Sequence, residues 1–159
     1  MQDRKAAIRE VLASSQQDLL DTLDRVKGDD WQRPSPNEGW TIHSLLTHLA
    51  TSEHGFVGMA CRVAAGEDGV PRNYDRDRWN ASQQRRNAEV TPAELRQRLE
   101  SAHADILALL DRLDDAALDK RGFLSDYTEG STEDCFRLMA SHKREHTQHI
   151  QAALGVAHT

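Results

Sequence analysis

Residues 41–65, TIHSLLTHLATSEHGFVGMACRVAA, determine the fold class of this 159-residue chain. Their apolar residues recur at intervals of three and four, the spacing that places side chains along one face of an α-helix. Thr41 is a suitable N-cap, and Gly66 follows the last turn. The segment therefore predicts a long helix with one buried face, formed by Ile42, Leu45, Leu46, Leu49, Phe56, Ala60 and Val63.

Three further segments have the periodicity of amphipathic helices, at about residues 3–27, 91–113 and 131–154. Two of them begin with capping residues: Thr91 stands before a proline, and Ser131 stands three residues before an acid. No segment shows the regular alternation of apolar and polar residues that indicates a β-strand. Four amphipathic helices without strands predict an all-α four-helix bundle.

The connector between the second and third predicted helices, residues 66–90, is long and polar. Residues 74–87 within it are compatible with one short helix anchored by Trp79. A connector of this length can cross the whole bundle, so neighbouring helices need not alternate in direction. The length of the chain suits one hydrophobic core, and residues 1–159 are therefore expected to form a single domain.

The composition argues against several classes of protein. The net charge of −6 disfavours a nucleic-acid-binding surface, because neutralising phosphates requires an excess of Lys and Arg. No stretch approaches the roughly 18 apolar residues of a membrane span, and no apolar signal segment begins the chain. Two cysteines without a disulfide pattern favour a cytoplasmic protein. A homodimer is also expected, because bundles of this size often associate through a helix face.

Three histidines carry the main chemical signal of the chain. His142 and His146 stand four residues apart, so both imidazoles leave the same side of one predicted helix. His48 lies on the flank of the apolar stripe of another helix. Buried imidazoles need hydrogen-bond partners or a metal, and neutral imidazole is a common ligand of zinc, nickel and copper. Three protein ligands leave a position for water or substrate, as in catalytic metal sites.

Spacing alone leaves other interpretations open. The histidines could be core residues that hydrogen-bond to Ser15, Glu53 or the backbone, and His149 lies on the same helical face as a competing ligand. Glu53 is an unusual carboxylate on an apolar stripe. It is a candidate acceptor for the N–H of a metal-binding histidine, or a candidate general base. The alternative is a carboxylate at the bundle edge, paired with an arginine.

Two motifs resemble the DinB/YfiT-like metalloenzyme superfamily. Residues 39–53, GWTIHSLLTHLATSE, are similar to its second-helix motif, and residues 142–150, HKREHTQHI, are similar to its fourth-helix motif. Residues 74–87, YDRDRWNASQQRRN, followed by TPAEL, resemble the N-terminal domain of mycothiol-dependent maleylpyruvate isomerases. The matching motif positions are Trp40, Thr41, Leu45, His48, Leu49 and Glu53 in the first, and His142, Glu145, His146 and Ile150 in the second.

The resemblance implies a four-helix bundle with a long crossover between helices two and three. It also implies a divalent metal, often zinc or nickel, held by His48, His142 and His146, and a low-molecular-weight thiol as co-substrate in some relatives. His149 stands where relatives often have glutamine. The isomerases carry a further C-terminal domain that these residues do not include, so a full isomerase activity is not expected.

Together these observations predict a divalent-metal-dependent enzyme that acts on a small molecule, either a hydrolase or a thiol-dependent transferase or isomerase. The alternative is a protein that binds or sequesters a small molecule without turnover. A cysteine inside a helix is more often a small packing residue. If either cysteine is reactive, Cys135, which lies near a helix N-terminus, is the better candidate for a lowered thiol pKa. The three tryptophans are expected to be structural anchors, and the basic run between Arg72 and Arg86 is expected to be a solvated face.

Overall fold

The computed structural model describes residues 3–155 of the chain. Most of these residues are helical, and two short strands form an antiparallel hairpin just before the last helix. None of the helices in this range is long and apolar enough to cross a membrane. In chain order the elements are α1 (Arg4–Leu23), a 3-10 helix (Gly28–Gln32), α2 (Ile42–Ala64), α3 (Arg76–Arg86), α4 (Pro92–Arg112), α5 (Asp115–Leu118), β1 (Arg121–Phe123), β2 (Glu129–Ser131) and α6 (Thr132–Ala153).

The predicted helices are all present, and their starting points follow the capping residues. The hydroxyl of Thr41 accepts a hydrogen bond from the backbone N–H of Ser44 at 3.1 Å, which fixes the start of α2. α4 and α6 each begin with a capping box built on Thr91 or Ser131. The short helix predicted around Trp79 is α3. The prediction of a four-helix bundle, made by α1, α2, α4 and α6, is confirmed.

The core forms two apolar clusters, one towards each end of the bundle. α1 and α6 begin at the first cluster and end at the second, whereas α2 and α4 begin at the second and end at the first. α1 and α6 are therefore parallel to each other and antiparallel to α2 and α4. The residues that show this order are Ile8 and Leu23 of α1, Phe136 and Ile150 of α6, Ile42 and Val63 of α2, and Leu95 and Leu110 of α4.

This order requires the chain to cross the bundle between α2 and α4. α2 packs against both α4 and α6. Since α2 and α4 run in the same direction, residues 65–91 must return along the bundle before α4 can begin. This connection is the predicted long crossover, and it contains α3, which packs on α2. The arrangement leaves α2 and α6, which carry the candidate histidines, side by side and antiparallel.

Several polar side chains lie buried between the two apolar clusters. Ser15, which interrupts the apolar stripe of α1, is fully buried, and its hydroxyl donates to the backbone carbonyl of Leu12 at 3.0 Å. Gln16 of α1, Glu53 of α2 and Lys143 of α6 are buried at the same boundary. We name these three residues the interior polar cluster. They connect three of the four bundle helices through side chains rather than through apolar packing.

The hairpin β1–β2 contradicts the expectation of a chain without strands. Each strand has only three residues, too few for an alternating pattern to be visible in the sequence. The hairpin is attached to the crossover, because the N–H of Gly69 donates to the carbonyl of Phe123 at 2.8 Å. The N–H of Phe123 in turn donates to the carboxylate of Asp68 at 3.0 Å. These bonds hold the hairpin beside the C-terminal end of α2.

We expect Gly122→Ala to destabilise the protein, because the hairpin and the crossover approach too closely at this position. A Cβ at Gly122 would lie 2.4 Å from the backbone oxygen of Glu67. Relief of this overlap requires a backbone shift, which should lower the free energy of unfolding by about 1–3 kcal/mol. Urea denaturation measures this change, and a variant as stable as the wild type would contradict the packing described.

Gly55→Ala is the matched control. Gly55 lies inside α2, and its added Cβ would lie 3.7 Å from Cζ2 of Trp79, an ordinary van der Waals distance. Replacing a glycine inside a helix should raise the free energy of unfolding by up to about 1 kcal/mol. The two substitutions should therefore shift the urea midpoint in opposite directions.

Candidate metal centre

The three candidate histidines come from two neighbouring helices. His48 lies in the second turn of α2, and His142 and His146 lie one turn apart in α6. Because α2 and α6 are antiparallel neighbours, a turn near the start of one can face a turn near the end of the other. The structure brings the three imidazoles together at this point.

The ring nitrogens approach one another closely. His48 Nε2 lies 2.8 Å from His142 Nε2. One ring nitrogen from each of His48, His142 and His146 lies within 4.8 Å of the other two. The ring centroids are 4.7 Å apart for His48 and His142, 4.7 Å for His48 and His146, and 4.6 Å for His142 and His146. We name these three residues the histidine triad.

Neighbouring polar side chains contact two of the three rings. Ser52 Oγ lies 3.4 Å from Nδ1 of His48, and His149 Nδ1 lies 3.2 Å from Nδ1 of His146. Contacts of this kind fix the orientation and tautomer of an imidazole, so that its other nitrogen is directed to a ligand. His149, the competing ligand candidate, therefore touches the triad through His146 and lies outside the group of three nitrogens that approach one another.

The triad is neutral at pH 7, because burial disfavours the charged form of each imidazole. Burial, with the charges of His146 and Arg76, lowers the pKa of His48 to about 3. Burial and the neighbouring His149 lower the pKa of His146 to about 4, and burial lowers that of His142 well below its usual value. A neutral imidazole retains a lone pair on one ring nitrogen, and this is the form that binds a metal.

A cavity of about 550 Å³ adjoins the triad. His48 and His142 form part of its wall, so the triad faces a space that can hold a small molecule. The rest of the wall comes from α2, α3, α6, the crossover and the loop between the two strands. Most of this lining is apolar, and its larger members are Phe56, Met59, Val70, Tyr74, Trp79 and Leu138.

Two charged side chains of the cavity lining bear on its chemistry. Arg76, the first residue of α3, has its guanidinium carbon 5.2 Å from the centre of the Tyr127 ring. Among residues 3–155, no carboxylate lies within ion-pair distance of Arg76. Glu145 of α6 also lines the cavity and stands between His142 and His146 in the sequence. The lining therefore includes Arg76, a guanidinium without a carboxylate partner among residues 3–155, and Glu145, a carboxylate close to the triad in the chain.

Two of the tryptophans predicted to be anchors lie at the site. The ring of Trp40 lies 4.9 Å from that of His48, and Trp79 forms part of the cavity wall. Arg76 comes from the basic run expected to be a solvated face, and its side chain is exposed but lies at the cavity. Sequence reasoning missed these contacts because they depend on where the crossover packs. The one signal that pointed to them was the resemblance of residues 74–87 to the isomerases.

The structure gives Glu53 neither of its expected positions. Its carboxylate is 1% exposed and pairs with the Lys143 ammonium at 3.1 Å. Within the described part of the chain it makes no hydrogen bond to a triad histidine, and it is not among the residues that line the cavity. It also does not lie at the bundle edge with an arginine. A buried lysine on α6, rather than an imidazole, is its partner.

Of the two interpretations of Cys135, the structure supports the packing residue and not the reactive thiol. Its thiol is buried in the first turn of α6, and burial raises its pKa to about 12. The helix N-terminus would favour a thiolate, but the loss of hydration outweighs this effect. Cys135 is therefore a packing residue of the first apolar cluster.

The remaining histidines lie away from the triad. The ring of His43 contacts the carbonyl of Val90 at 2.8 Å, and His54 is exposed. His103 of α4 is half-buried, and burial together with the nearby Lys143 charge lowers its pKa to about 4. His158 is outside the described residues.

The sequence and the structure both match known proteins. The family model of the DinB superfamily matches residues 11–150. The chain belongs to the DinB superfamily. None of the curated proteins compared with this DinB member matches it. The resemblance inferred from the two helix motifs is thus confirmed at the level of the family.

Solved structures share the fold of this DinB member. YfiT from Bacillus subtilis, a probable metal-dependent hydrolase with an unusual four-helix bundle topology, superposes with a TM-score of 0.77 at 21% identity, over 99% of this chain and 91% of that one. Mycothiol-dependent maleylpyruvate isomerase gives a TM-score of 0.80 at 14% identity, over 93% of this chain and 61% of that one. A variant of the isomerase gives 0.81 at 15% identity, over 99% and 63%. The chain thus spans less than two thirds of the isomerase. At these identities the likeness shows the fold.

We expect the metal-free protein to lose stability as the pH falls below about 6.5. In the folded chain the pKa values of His48 and His146 are about 3 and 4, whereas unfolded histidines titrate near 6.5. Between these values the unfolded chain binds more protons, so the free energy of unfolding decreases with falling pH. One pKa unit corresponds to about 1.4 kcal/mol, so the loss between pH 7 and pH 5 should reach a few kcal/mol.

Urea denaturation after removal of metal with EDTA measures this loss. A variant that combines His48→Gln and His146→Gln should show a flatter dependence on pH, because it lacks the two groups. His54→Gln, which changes an exposed histidine, should retain the wild-type profile. If the free energy of unfolding changed equally with pH in all three proteins, the lowered pKa values assigned to His48 and His146 would be contradicted.

Proposed function

We propose that this DinB member is a divalent-metal-dependent enzyme that activates a nucleophile, water or a small thiol, against a small molecule bound in the cavity. The observation that carries the proposal is the meeting of three neutral imidazoles, two of which, His48 and His142, line that cavity. Neutral imidazoles keep nitrogen lone pairs, which three neighbouring rings can donate to one metal ion. A triad that binds a metal in this way leaves the cavity side for the reactants.

The donor set fits a borderline metal ion. His48, His142 and His146 each offer one nitrogen, and these atoms lie within 4.8 Å of one another. Imidazole donors favour zinc, nickel, copper or iron over magnesium and calcium, which favour oxygen ligands. Zinc or nickel is therefore proposed. When bound, such an ion lowers the pKa of a coordinated water or thiol and polarises an electrophile.

The protein side chains would bind and orient the reactants. The apolar lining excludes water and accommodates the apolar part of a small molecule. Arg76 offers its guanidinium to an anionic group of the substrate or thiol. Glu145 is the proposed proton acceptor, since its carboxylate lines the same cavity. In a transfer reaction the thiolate sulfur would bond to an electrophilic carbon, and the leaving group would depart with the bonding electrons.

The relatives support both forms of the proposal. YfiT is a probable metal-dependent hydrolase, and the isomerase is mycothiol-dependent. The fold shared with them is compatible with a metal that serves water in one case and a thiol in the other. Both routes use the same ion and the same cavity, so they differ in which nucleophile the cavity accepts.

A protein that binds or sequesters a small molecule without turnover is the second candidate. The largely apolar cavity lining favours it, because such a lining binds small apolar molecules whether or not a metal is present. The two candidate functions differ in whether they require a metal. Restoring zinc or nickel to metal-free protein should switch on turnover in the enzyme, whereas a sequestering protein would bind its molecule equally well with and without metal.

We expect His146→Ala to remove most of the bound metal, because it deletes one of three ligands. Plasma mass spectrometry of protein purified without a histidine tag measures the metal per chain. His54→Ala should leave the metal content unchanged, since its side chain is exposed and away from the triad. His149→Ala should weaken binding without abolishing it, because His149 contacts His146 rather than the shared centre. Equal metal content in wild type and His146→Ala would contradict the proposal.

We expect Glu145→Gln to lower turnover by about 10²–10⁴-fold with unchanged metal content, because the amide cannot accept a proton. The substrates for this test are a nitrophenyl ester for hydrolysis and an activated chloronitrobenzene with free cysteine for thiol transfer. Glu133→Gln is the control, since Glu133 lies on the same helix but pairs with Arg4 and Arg137. Unchanged turnover in Glu145→Gln would remove this residue from the mechanism.

A further inference from the structure

We propose that the interior polar cluster, Gln16, Glu53 and Lys143, is a clamp that sets the register of α2 against α6 and so positions the histidine triad. This inference rests on the proposed function only in that it takes the triad to bind a metal ion. The positions of the three imidazoles can also be measured without metal.

The cluster is a buried ion pair with a third, neutral partner. Glu53 Oε1 lies 3.1 Å from Lys143 Nζ, and each side chain is 1% exposed. Lys143 Nζ also donates to Gln16 Oε1 at 2.7 Å. Among the described residues, neither Glu53 oxygen has an aligned hydrogen bond, so the ammonium group is its charge partner. Burial raises the pKa of Glu53 and lowers that of Lys143, and the opposite charge offsets each shift.

The cluster lies directly beside the triad in the chain. Lys143 follows His142 on α6, and Glu53 follows Ser52, whose hydroxyl contacts His48. Successive side chains of a helix point about 100° apart. The turns of α2 and α6 that direct the histidines towards the cavity therefore direct the neighbouring ion pair towards the centre of the bundle. A sliding movement of α2 along α6 would therefore separate both sets of contacts at once.

The apolar core does not impose this register by itself. Apolar contact is non-directional, and the leucine-rich cluster on one side of the ion pair can repack after a small shift. A shift of one helical turn is 5.4 Å, which would break a 3.1 Å ion pair and leave two charges buried. Buried polar pairs are known to fix register in helical assemblies.

The clamp need not add stability. Replacing a buried ion pair by apolar residues of similar volume is often neutral or stabilising, whereas removing one partner is strongly destabilising. A purely stabilising role therefore predicts that an apolar pair is an adequate substitute. A positioning role predicts that the apolar pair folds but no longer holds the imidazoles together.

Two paired variants test the clamp. The apolar pair combines Glu53→Leu with Lys143→Met, and the swapped pair combines Glu53→Lys with Lys143→Glu. In the swapped pair the amide of Gln16 can rotate and donate to the new carboxylate. Ser15→Ala is the matched control, because Ser15 is buried at the same level but bonds only within α1.

The first measurement uses metal-free protein. The contact between His48 and His142 should give a protected ring N–H resonance in the NMR spectrum, since one of the two nitrogens carries the proton. The second measurement is a Co²⁺ titration, in which visible absorption reports the ligand geometry. Thermal unfolding of each variant reports stability separately.

The expected result is an apolar pair that folds, lacks the His48–His142 resonance and binds Co²⁺ at least about tenfold more weakly. The swapped pair should recover both signals. The proposal is overturned if the apolar pair keeps the resonance, if the wild type lacks it, or if the swapped pair folds without it.

If the apolar pair does not fold, the swapped pair carries the test. If the wild type binds no Co²⁺, the proposed function fails, and the resonance still decides whether the clamp exists.

Discussion

The antiparallel packing of α2 on α6 is the constraint on which the rest of the structure depends. It brings His48 to within 2.8 Å of His142, although 94 residues separate them in the chain. The interior polar cluster lies across the same contact, and α2 and α6 also supply much of the cavity wall. The topology permits this contact, because the crossover allows α2 to pack against both the parallel helix α4 and the antiparallel helix α6. Scaffold and candidate chemistry therefore share one helix pair.

Periodic, local features of the sequence were sufficient to predict the scaffold. Apolar residues at intervals of three and four predicted four bundle helices, and Thr41, Thr91 and Ser131 predicted three of their starting points, since a helix repeats and caps within a few residues. The histidines were predictable as candidates because an i, i+4 pair lies on one face. Their convergence with His48 followed from the family resemblance, which carries long-range information that spacing lacks.

Features that depend on long-range packing were not predicted. Glu53 was noticed as an unusual carboxylate, but nothing local indicates that its partner is Lys143, 90 positions away. The strands of the hairpin are too short for a periodic signal, and the crossover has no apolar stripe to indicate where it packs. For Cys135 the sequence left a packing role and a reactive role open, because burial cannot be read from its place in a helix. The homodimer, the single-domain organisation and the cytoplasmic location stay predictions.

The molecule divides into a bundle that positions the histidine triad and a crossover that, with the hairpin, completes the wall of the cavity. The wall of the cavity opposite the helices is made of connector and hairpin, which are joined to each other by backbone hydrogen bonds. Val70 and Leu124 anchor these two segments in the first apolar cluster. Pro71 and Arg76 line the cavity but are exposed, so they can change size or charge without altering how the bundle folds. The same bundle can thus carry cavity walls of different shape and charge while the histidine triad keeps its position.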